Sequence, residues 1–341
     1  MIRHLELSRP APGSPGAALY RQIRRDFGVE GEPFLLHTPV PELLAGAWAA
    51  FRETVIVPGR LSRAAKEVLA LAVSEANRCP YCVDAHSATL YALGLGGTAR
   101  AVARHGQAQN AELRALAAWA RASTGAAGAA QSPPPCELAA APEAIGTVLC
   151  FHYINRMVEP LLGASPVPPA ARLMKGLAFR IFAPTFRRAI GREHRAGESL
   201  GFLSPLPEAP ASLAWARGSE AIHRAFRGLD AAVASAAEDL LPAASRNRLR
   251  EHLSLWQGEP APLGEGWLLP LLAGEPSATA AAGRLALLAA RAPYRIDQRE
   301  VAAFRSHWPE DRALVGGLAW GAYQAAERVS EWLWNPPERW H

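Results

Sequence analysis

Helical periodicity is the feature that most restricts the fold of this chain. Apolar residues recur at spacings of three and four, alanine and leucine are abundant, and clean two-residue alternation is missing. Because strands with one buried face alternate between apolar and polar residues, the pattern predicts an all-α protein. The predicted helices occupy these ranges of the chain: 15–27, 41–54, 63–76, 80–93, 98–105, 110–123, 142–162, 168–190, 212–226, 243–256, 278–291, 298–305 and 309–333.

Several predicted helices carry start or stop signals. Ser62 is a favourable N-cap for the helix beginning at residue 63, because its hydroxyl can accept an exposed backbone N–H. Asp297 and Glu300 have the spacing of a capping box. Gly94 follows the helix that starts at Pro80 and is suited to end it, since glycine readily adopts the left-handed conformation found there.

Chain length, cysteine content and the N-terminal segment predict a cytoplasmic protein that can contain two domains. The 341 residues, of which 50% are hydrophobic, suffice for a well-buried core. Four cysteines are too few for a disulfide scaffold and favour a reducing compartment. The first residues form no apolar signal segment, and no uninterrupted apolar run is long enough to cross a bilayer.

The net charge of +5 does not by itself indicate nucleic-acid binding. Arginines are scattered between acids, whereas a nucleic-acid protein should show a clustered basic face interleaved with aromatic residues. One basic amphipathic stretch occupies residues 172–195. It could bind a membrane surface or an acidic partner, but an inter-domain helix with arginines reaching into solvent is the favoured interpretation. We therefore expect neither a nucleic-acid partner nor a membrane partner.

Two segments have the composition of connections. Residues 124–136 form a Gly/Ala/Pro loop, and residues 203–211 form a Pro-rich linker that is the preferred domain boundary. The predicted domains are therefore 1–202, which ends with the basic inter-domain helix at about 168–195, and 203–341.

A weak internal repeat relates the two predicted domains. The segment 61–69 resembles 241–249, and Asn155-Arg156 in one long helix resembles Glu327-Arg328 in another. In this alignment Asn247 stands where Glu67 stands, and no cysteine follows it. If the halves are related, only the first has kept its chemistry.

The chemistry of the first half is concentrated in Glu67-x11-Cys79-x2-Cys82-x3-His86. Pro80 suits the first position of a helix, which makes Cys79 the N-cap and places Cys82 in the first turn. The helix N-terminus favours negative charge, so both thiols lie where a thiolate is stabilised. Cys82 and His86 are four residues apart and share a face, so the imidazole can relay a proton.

Glu67 lies on the preceding helix, and an antiparallel hairpin could return it to the thiols. A carboxylate among apolar neighbours should have a raised pKa and could act as a general base. Other interpretations remain open. CxxC with a nearby histidine could bind structural zinc, with Cys136, Cys150 or His152 as the fourth ligand. The cysteines could instead be inert and packed, and Glu67 a solvated helix carboxylate.

The segment from Lys66 to His86 closely resembles the alkylhydroperoxidase D / carboxymuconolactone decarboxylase family. The match is dense over 61–97 and looser over 30–163, and the C-terminal half looks like a degenerate second copy. The resemblance implies an all-helical bundle, here duplicated in tandem, that assembles into homo-oligomers.

The same resemblance implies a thiol peroxidase that reduces hydroperoxides without a cofactor or a metal. Cys82 would attack the peroxide, Cys79 would resolve the intermediate into a disulfide, and Glu67 with His86 would form a proton relay. The N-cap argument taken alone would make Cys79 the nucleophile, because it should be more exposed; the resemblance favours Cys82. The electron donor would be a dithiol, on a lipoylated or thioredoxin-like protein.

One residue departs from the family pattern. Characterised alkylhydroperoxidases carry a histidine between the cysteines, where this chain has Tyr81. Tyr81 cannot act as a base near neutral pH, but its hydroxyl could form a hydrogen bond within the relay. Tyr81 and His152 are possible site-lining residues, although a core position is favoured for His152. Two other functions remain as alternatives, a disulfide oxidoreductase or redox sensor and a zinc-stabilised helical interaction module.

Overall fold

The computed structural model describes residues 2–129, 132–163, 165–167 and 169–334, and within them the protein is all-α, as predicted. Sixteen α-helices and several short 3₁₀ turns occur in this part of the chain, and no strand is present there. The α-helices are α1 (Pro15–Phe27), α2 (Glu32–Leu35), α3 (Pro41–Phe51), α4 (Arg63–Ala76), α5 (Pro80–Ala92), α6 (Gly96–Val102), α7 (Ala111–Ala122), α8 (Ala126–Ala129), α9 (Ala141–Leu161), α10 (Lys175–Ile190), α11 (Glu220–Ala236), α12 (Ala243–Ser254), α13 (Leu269–Leu272), α14 (Ser277–Arg291), α15 (Gln298–Arg305) and α16 (Asp311–Leu333).

Helix starts follow the capping side chains. The Ser62 hydroxyl accepts the backbone N–H of Ala65, so α4 begins where it was predicted. The Asp297 carboxylate accepts two backbone N–H groups of the first turn of α15. Gly94 has a φ of 80° and follows α5, a conformation that costs glycine less than any other residue. These three boundaries are set by local chemistry and were readable from the sequence.

Two predicted helices are displaced. The prediction over 212–226 is wrong in register, since Gly218 and Ser219 separate a 3₁₀ segment at Ala211–Ala216 from α11. The helix predicted over 168–190 begins only at Lys175, because the proline-rich start forms a 3₁₀ segment instead. A third helix, α3, continues past its predicted end as a π-helical turn, Arg52–Ile56.

Four helices join the two halves of the chain. Helix α3 packs along α11, and α9 packs along α16. The first contact is close because α3 carries Gly46, where an added Cβ would lie 2.8 Å from the Cα of Leu229. A single hydrophobic core continues through both halves and includes the fully buried Trp48, Trp215 and Trp320.

Packing identifies the counterpart of α4 in the second half. Helix α4 packs along α9, and α14 packs in the same way along α16, whereas α12 touches α16 only lightly. The sequence alignment that paired Asn247 with Glu67 therefore chose the wrong helix. After α14 the chain reads Ala292-Pro293-Tyr294-Arg295, in the place where Cys79 and Cys82 follow α4.

Helix α10 covers the outside of the first half. It packs on α5 and contacts α1. Lys175 forms an ion pair with Asp84 at 2.7 Å, and the Tyr91 and Phe179 rings lie 5.4 Å apart. Among the residues described, no helix combines the length and the apolarity that a bilayer crossing requires.

Candidate active site

The α4–α5 hairpin brings the four motif residues together. The turn between the helices is tight, with Arg78 at a φ of 57° and the backbone N–H of Cys79 donating to the carbonyl of Ser74. Cys79 is the N-cap of α5 and Pro80 its first residue, as the spacing predicted. Because α4 and α5 run antiparallel, Glu67 of α4 lies beside His86 of α5. Within the described part of the chain, no hydrogen bond joins Glu67 to either thiol.

Glu67 is buried and interacts through its two carboxylate oxygens with Arg63 and His86. Its side chain is 1% exposed, its Oε2 lies 2.7 Å from His86 Nδ1, and its Oε1 accepts a 2.7 Å hydrogen bond from Arg63 Nε. Burial alone would raise the pKa of Glu67, but Arg63 and His86 together hold it below its ordinary value. The predicted rise was therefore wrong, because Arg63 lies one helical turn earlier and was overlooked.

The ionised Glu67 fixes the tautomer of His86. A carboxylate only accepts hydrogen bonds, so Nδ1 must carry the proton it shares with Glu67. In the neutral ring the other nitrogen, Nε2, is then an acceptor. His86 also packs edge-on against Phe151, with 4.3 Å between ring centroids, and this contact further restricts the imidazole.

Both motif cysteines are free and buried, with 1% of Cys79 and 2% of Cys82 exposed. The N-cap thiol is thus no more exposed than its partner, contrary to expectation. The two thiols are hydrogen-bonded to each other, and burial together with Cys79 raises the pKa of Cys82 well above its ordinary value. At rest Cys82 is therefore a thiol. The predicted stabilisation of a thiolate by the helix N-terminus does not outweigh the burial of this side chain.

A small cavity of about 30 Å³ opens onto Cys82 and His86 but not onto Cys79. That volume suits a water-sized group. Its walls are largely aromatic and come from the segment 27–51, from α5 and from α9, through these residues: Phe27, Pro33, Phe34, Phe51, Tyr81, Ala85, Thr89, Phe151 and Ile154. Phe27, Phe34 and Phe51 were not predicted as lining residues, since apolar residues distant in sequence from the motif carry no local sign of the site that they cover.

Tyr81 secures part of this wall. Its hydroxyl donates a 2.8 Å hydrogen bond to Glu32 Oε2 at the start of α2, the helix that carries Phe34. Burial, followed by the Glu32 charge, raises the pKa of Tyr81, so the phenol stays protonated and acts as a donor. Tyr81 thus lines the cavity, and its partner Glu32 was not indicated by the sequence.

Ser74 and Asn155 form a polar pair behind the thiols. The Ser74 hydroxyl lies within hydrogen-bonding reach of Cys82 and donates to Asn155 Oδ1 at 3.2 Å. Asn155 is 3% exposed, and its Nδ2 has no partner within the described residues. A hydroxyl in this position can turn toward sulfur when negative charge forms there.

His152 does not line the cavity. It is 1% exposed and its Nε2 donates to the Ser123 hydroxyl at 2.8 Å, while its Nδ1 faces Asn77 and Arg156 at 3.3 and 3.2 Å. Burial and the Arg156 charge lower its pKa well below the ordinary value, so the ring is neutral. Because Asn77 begins the α4–α5 turn, His152 supports that turn from the core.

The residues considered as further zinc ligands lie apart from the motif. Cys150 is buried against the Thr54 hydroxyl at 3.7 Å, and Cys136 is half-buried in the loop before α9. Within the described ranges, no three His, Cys, Asp or Glu side chains are gathered as a metal site would require.

Comparison with known proteins agrees with this geometry. The sequence model of the carboxymuconolactone decarboxylase family matches residues 42–132, a range that contains the α4–α5 hairpin. An alkyl hydroperoxide reductase of Mycobacterium tuberculosis is 38% identical over 334 residues, which cover 97% of this chain and 95% of that protein. The similarity thus extends through both halves, and the chain belongs to the alkylhydroperoxidase D-like / carboxymuconolactone decarboxylase family.

Proposed function

We propose that the protein is a thiol-dependent hydroperoxide reductase, with Cys82 as the attacking thiol and Cys79 as the resolving thiol. One observation carries the proposal: Cys82 and His86 share an aromatic cavity, while Glu67 holds the opposite nitrogen of the imidazole. The name of the Mycobacterium tuberculosis relative supports the same activity.

The first step forms the nucleophile. Cys82 gives its proton to Nε2 of His86, directly or through a water in the cavity, and Glu67 stabilises the imidazolium that results. Glu67 is then a positioning residue and not the base itself, because its lowered pKa leaves it ionised throughout. Ser74 turns its hydroxyl toward the new thiolate.

Peroxide reduction follows. The Cys82 thiolate attacks the O–O bond, so that an S–O bond forms as the O–O bond breaks. The leaving alkoxide takes the proton from His86 and departs as an alcohol. Cys82 is oxidised to a sulfenic acid while the hydroperoxide is reduced. The name of the Mycobacterium tuberculosis relative supports alkyl hydroperoxides as the substrates.

A disulfide closes the oxidative half. Cys79, already in contact with Cys82, attacks its sulfur, and water leaves as the S–S bond forms. Two exchange steps with an external dithiol restore both thiols. We propose a lipoylated or thioredoxin-like protein as that donor.

Three further expectations belong to the same proposal. We propose that the chain comprises two tandem domains, with the boundary in 203–211 and the degenerate copy following it. We also propose a homo-oligomer and a cytoplasmic location. The alternative of a disulfide oxidoreductase or redox sensor is less well supported, because the relative that covers nearly the whole chain is named as an alkyl hydroperoxide reductase.

The activity is tested by following consumption of cumene hydroperoxide with dihydrolipoamide as the reductant. We expect turnover by the wild type and by Cys136→Ser, a loop thiol outside the cavity, and none by Cys82→Ser. Cys79→Ser should still consume about one equivalent of peroxide, because it can form the sulfenic acid but not the disulfide. Equal rates for wild type and Cys82→Ser would refute the proposal.

A further inference from the structure

Helix α10 exposes an unusual amount of apolar surface. Four of the ten large hydrophobic side chains that are exposed in the described part of the chain lie on α10 or immediately before it: Met174, Leu177, Ile181 and Phe182, which are 60%, 48%, 64% and 51% exposed. Leu177 and Ile181 are four residues apart and project from the same side of the helix. We call this side the outer face of α10.

Arginines continue the outer face toward the C-terminus of the helix. Arg188 lies on the last turn of α10 and Arg192 just beyond its end, and α1 brings Arg21, Arg24 and Arg25 to the other side of a groove of about 420 Å³. Of these five, Arg25 alone has a carboxylate partner among the described ion pairs. The four guanidinium groups without such a partner repel each other unless anions occupy the groove.

We propose that the outer face of α10 and this arginine groove dock the protein on an anionic lipid bilayer. Apolar side chains can enter the acyl boundary while the neighbouring arginines bind lipid headgroups, the arrangement of interfacial amphipathic helices. An inter-domain helix with arginines reaching into solvent was the favoured prediction for residues 172–195, but Leu177 and Ile181 lie outside the core.

The arginine groove adjoins the cavity. Phe27 lines the cavity, and the next residue, Gly28, lines the groove. A bilayer whose headgroups occupy the groove would therefore lie next to the residue that forms this part of the cavity wall. This part of the inference rests on the proposed function: the substrates it assigns are hydroperoxides of membrane lipids.

Co-sedimentation with vesicles tests the docking. The probes are phosphatidylcholine vesicles with and without phosphatidylglycerol. We expect the wild type to bind the anionic vesicles and to be released by salt. Arg188→Ala/Arg192→Ala should bind roughly thirty-fold more weakly, since an arginine near an anionic surface contributes about 1 kcal/mol. Leu177→Glu/Ile181→Glu should also lose binding.

Matched controls separate this effect from general changes in charge or apolarity. Leu263 is 95% exposed and Arg104 and Arg299 are exposed elsewhere, so Leu263→Glu and Arg104→Ala/Arg299→Ala should bind as the wild type does. Equal binding by the α10 variants and their controls would overturn the proposal, as would a wild type that ignores anionic vesicles. Light scattering that shows Leu177→Glu/Ile181→Glu dissociating an oligomer, with no vesicle binding, would assign the face to a contact between copies instead.

Activity measurements keep the two proposals distinguishable. With cumene hydroperoxide in solution, the α10 variants should turn over as the wild type does. With a phospholipid hydroperoxide in anionic vesicles, they should lose at least about tenfold in rate. Equal rates on the vesicle substrate would overturn lipid presentation even if docking is observed. Inactivity of the wild type on every hydroperoxide would refute the proposed function and leave the docking result standing.

Discussion

Each half of the molecule contains a corresponding helical hairpin, but only the hairpin of the first half carries the two motif cysteines. In the first half, α4, a tight turn and α5 bury two thiols beneath aromatic residues of the N-terminal segment. In the second half, α14 is followed by a 3₁₀ turn at Pro293–Arg295 and then by α15, and Ala292 and Arg295 stand in the cysteine positions. The Arg295 guanidinium donates to backbone carbonyls of a neighbouring loop, including that of Pro262 at 2.9 Å.

The difference between the two hairpins is clearest at Tyr81 and Tyr294, each of which follows the proline of its hairpin. Tyr81 is 6% exposed and hydrogen-bonded to Glu32, whereas Tyr294 is 63% exposed. The hairpin is therefore not sufficient to make a site. A site also needs reactive side chains and a covering segment, which α1 and α2 supply in the first half.

The largest expected effect is on the rate of peroxide reduction, and it distinguishes His86 from Arg299. These residues stand four positions after Cys82 and four positions after Arg295. His86→Ala should lower the rate of peroxide reduction about 10² to 10⁴-fold, because it removes the proton acceptor. Arg299→Ala, at the matching position of the second half, should leave the rate unchanged. Steady-state assays with cumene hydroperoxide measure both. A comparable loss in the two variants would show that the halves are not functionally distinct.

The two tyrosines give a matched pair for stability. Tyr81→Phe should lower the free energy of unfolding by about 1.5 kcal/mol, since a buried donor to a carboxylate is lost. Tyr294→Phe should change it by less than about 0.5 kcal/mol, as expected for an exposed side chain. Urea denaturation measures the change in the free energy of unfolding for each variant. Equal changes for Tyr81→Phe and Tyr294→Phe would contradict the assigned role of Tyr81.

Ser74 should tune the reactivity of Cys82. Its hydroxyl lowers the pKa of the Cys82 thiol, although burial dominates and the net shift is upward. Ser74→Ala should therefore raise that pKa further and slow iodoacetamide labelling of Cys82 near neutral pH by about tenfold. Ser74→Thr, which keeps the hydroxyl, should restore the rate. A pH profile of labelling that is unchanged in Ser74→Ala would remove Ser74 from the site.

The smallest effect concerns acid stability. The pKa of Glu67 is lowered in the folded protein, so its ionised form stabilises the fold above its unfolded pKa, and this stabilisation is lost as pH falls through the folded value. Glu67→Gln should therefore be less stable than the wild type at pH 7, and the gap should narrow below about pH 4.5. Urea titrations at several pH values measure the gap, and a gap that widens in acid would mean Glu67 is protonated in the native state.

Local signals predicted the fold well. Helix ends marked by Ser62 and Asp297 agree with the structure because capping depends on adjacent residues. The helix predicted over 212–226 failed where Gly218 and Ser219 interrupt an otherwise helical composition. The register of the repeat failed for another reason, since Ala-rich helices resemble one another and only packing distinguishes α14 from α12.

The arrangement of the motif residues was predictable from their spacing, whereas their electrostatics were less so. Spacing alone placed Cys79 at the N-cap and His86 on the face of Cys82. The sign of the Glu67 pKa shift was missed although Arg63 stands at helical spacing from it. Burial of Cys82 by Phe27 and Phe34 could not be predicted, because those contacts depend on how distant segments pack.

The central claim is that folding makes Cys82 the peroxide-reactive thiol and Cys79 its partner. The most direct test is mass spectrometry of the reduced protein after one equivalent of cumene hydroperoxide. The account predicts a Cys79–Cys82 disulfide in the wild type and a stable oxidised Cys82 in Cys79→Ser. Recovery of both thiols unmodified, or oxidation confined to Cys136, would contradict it.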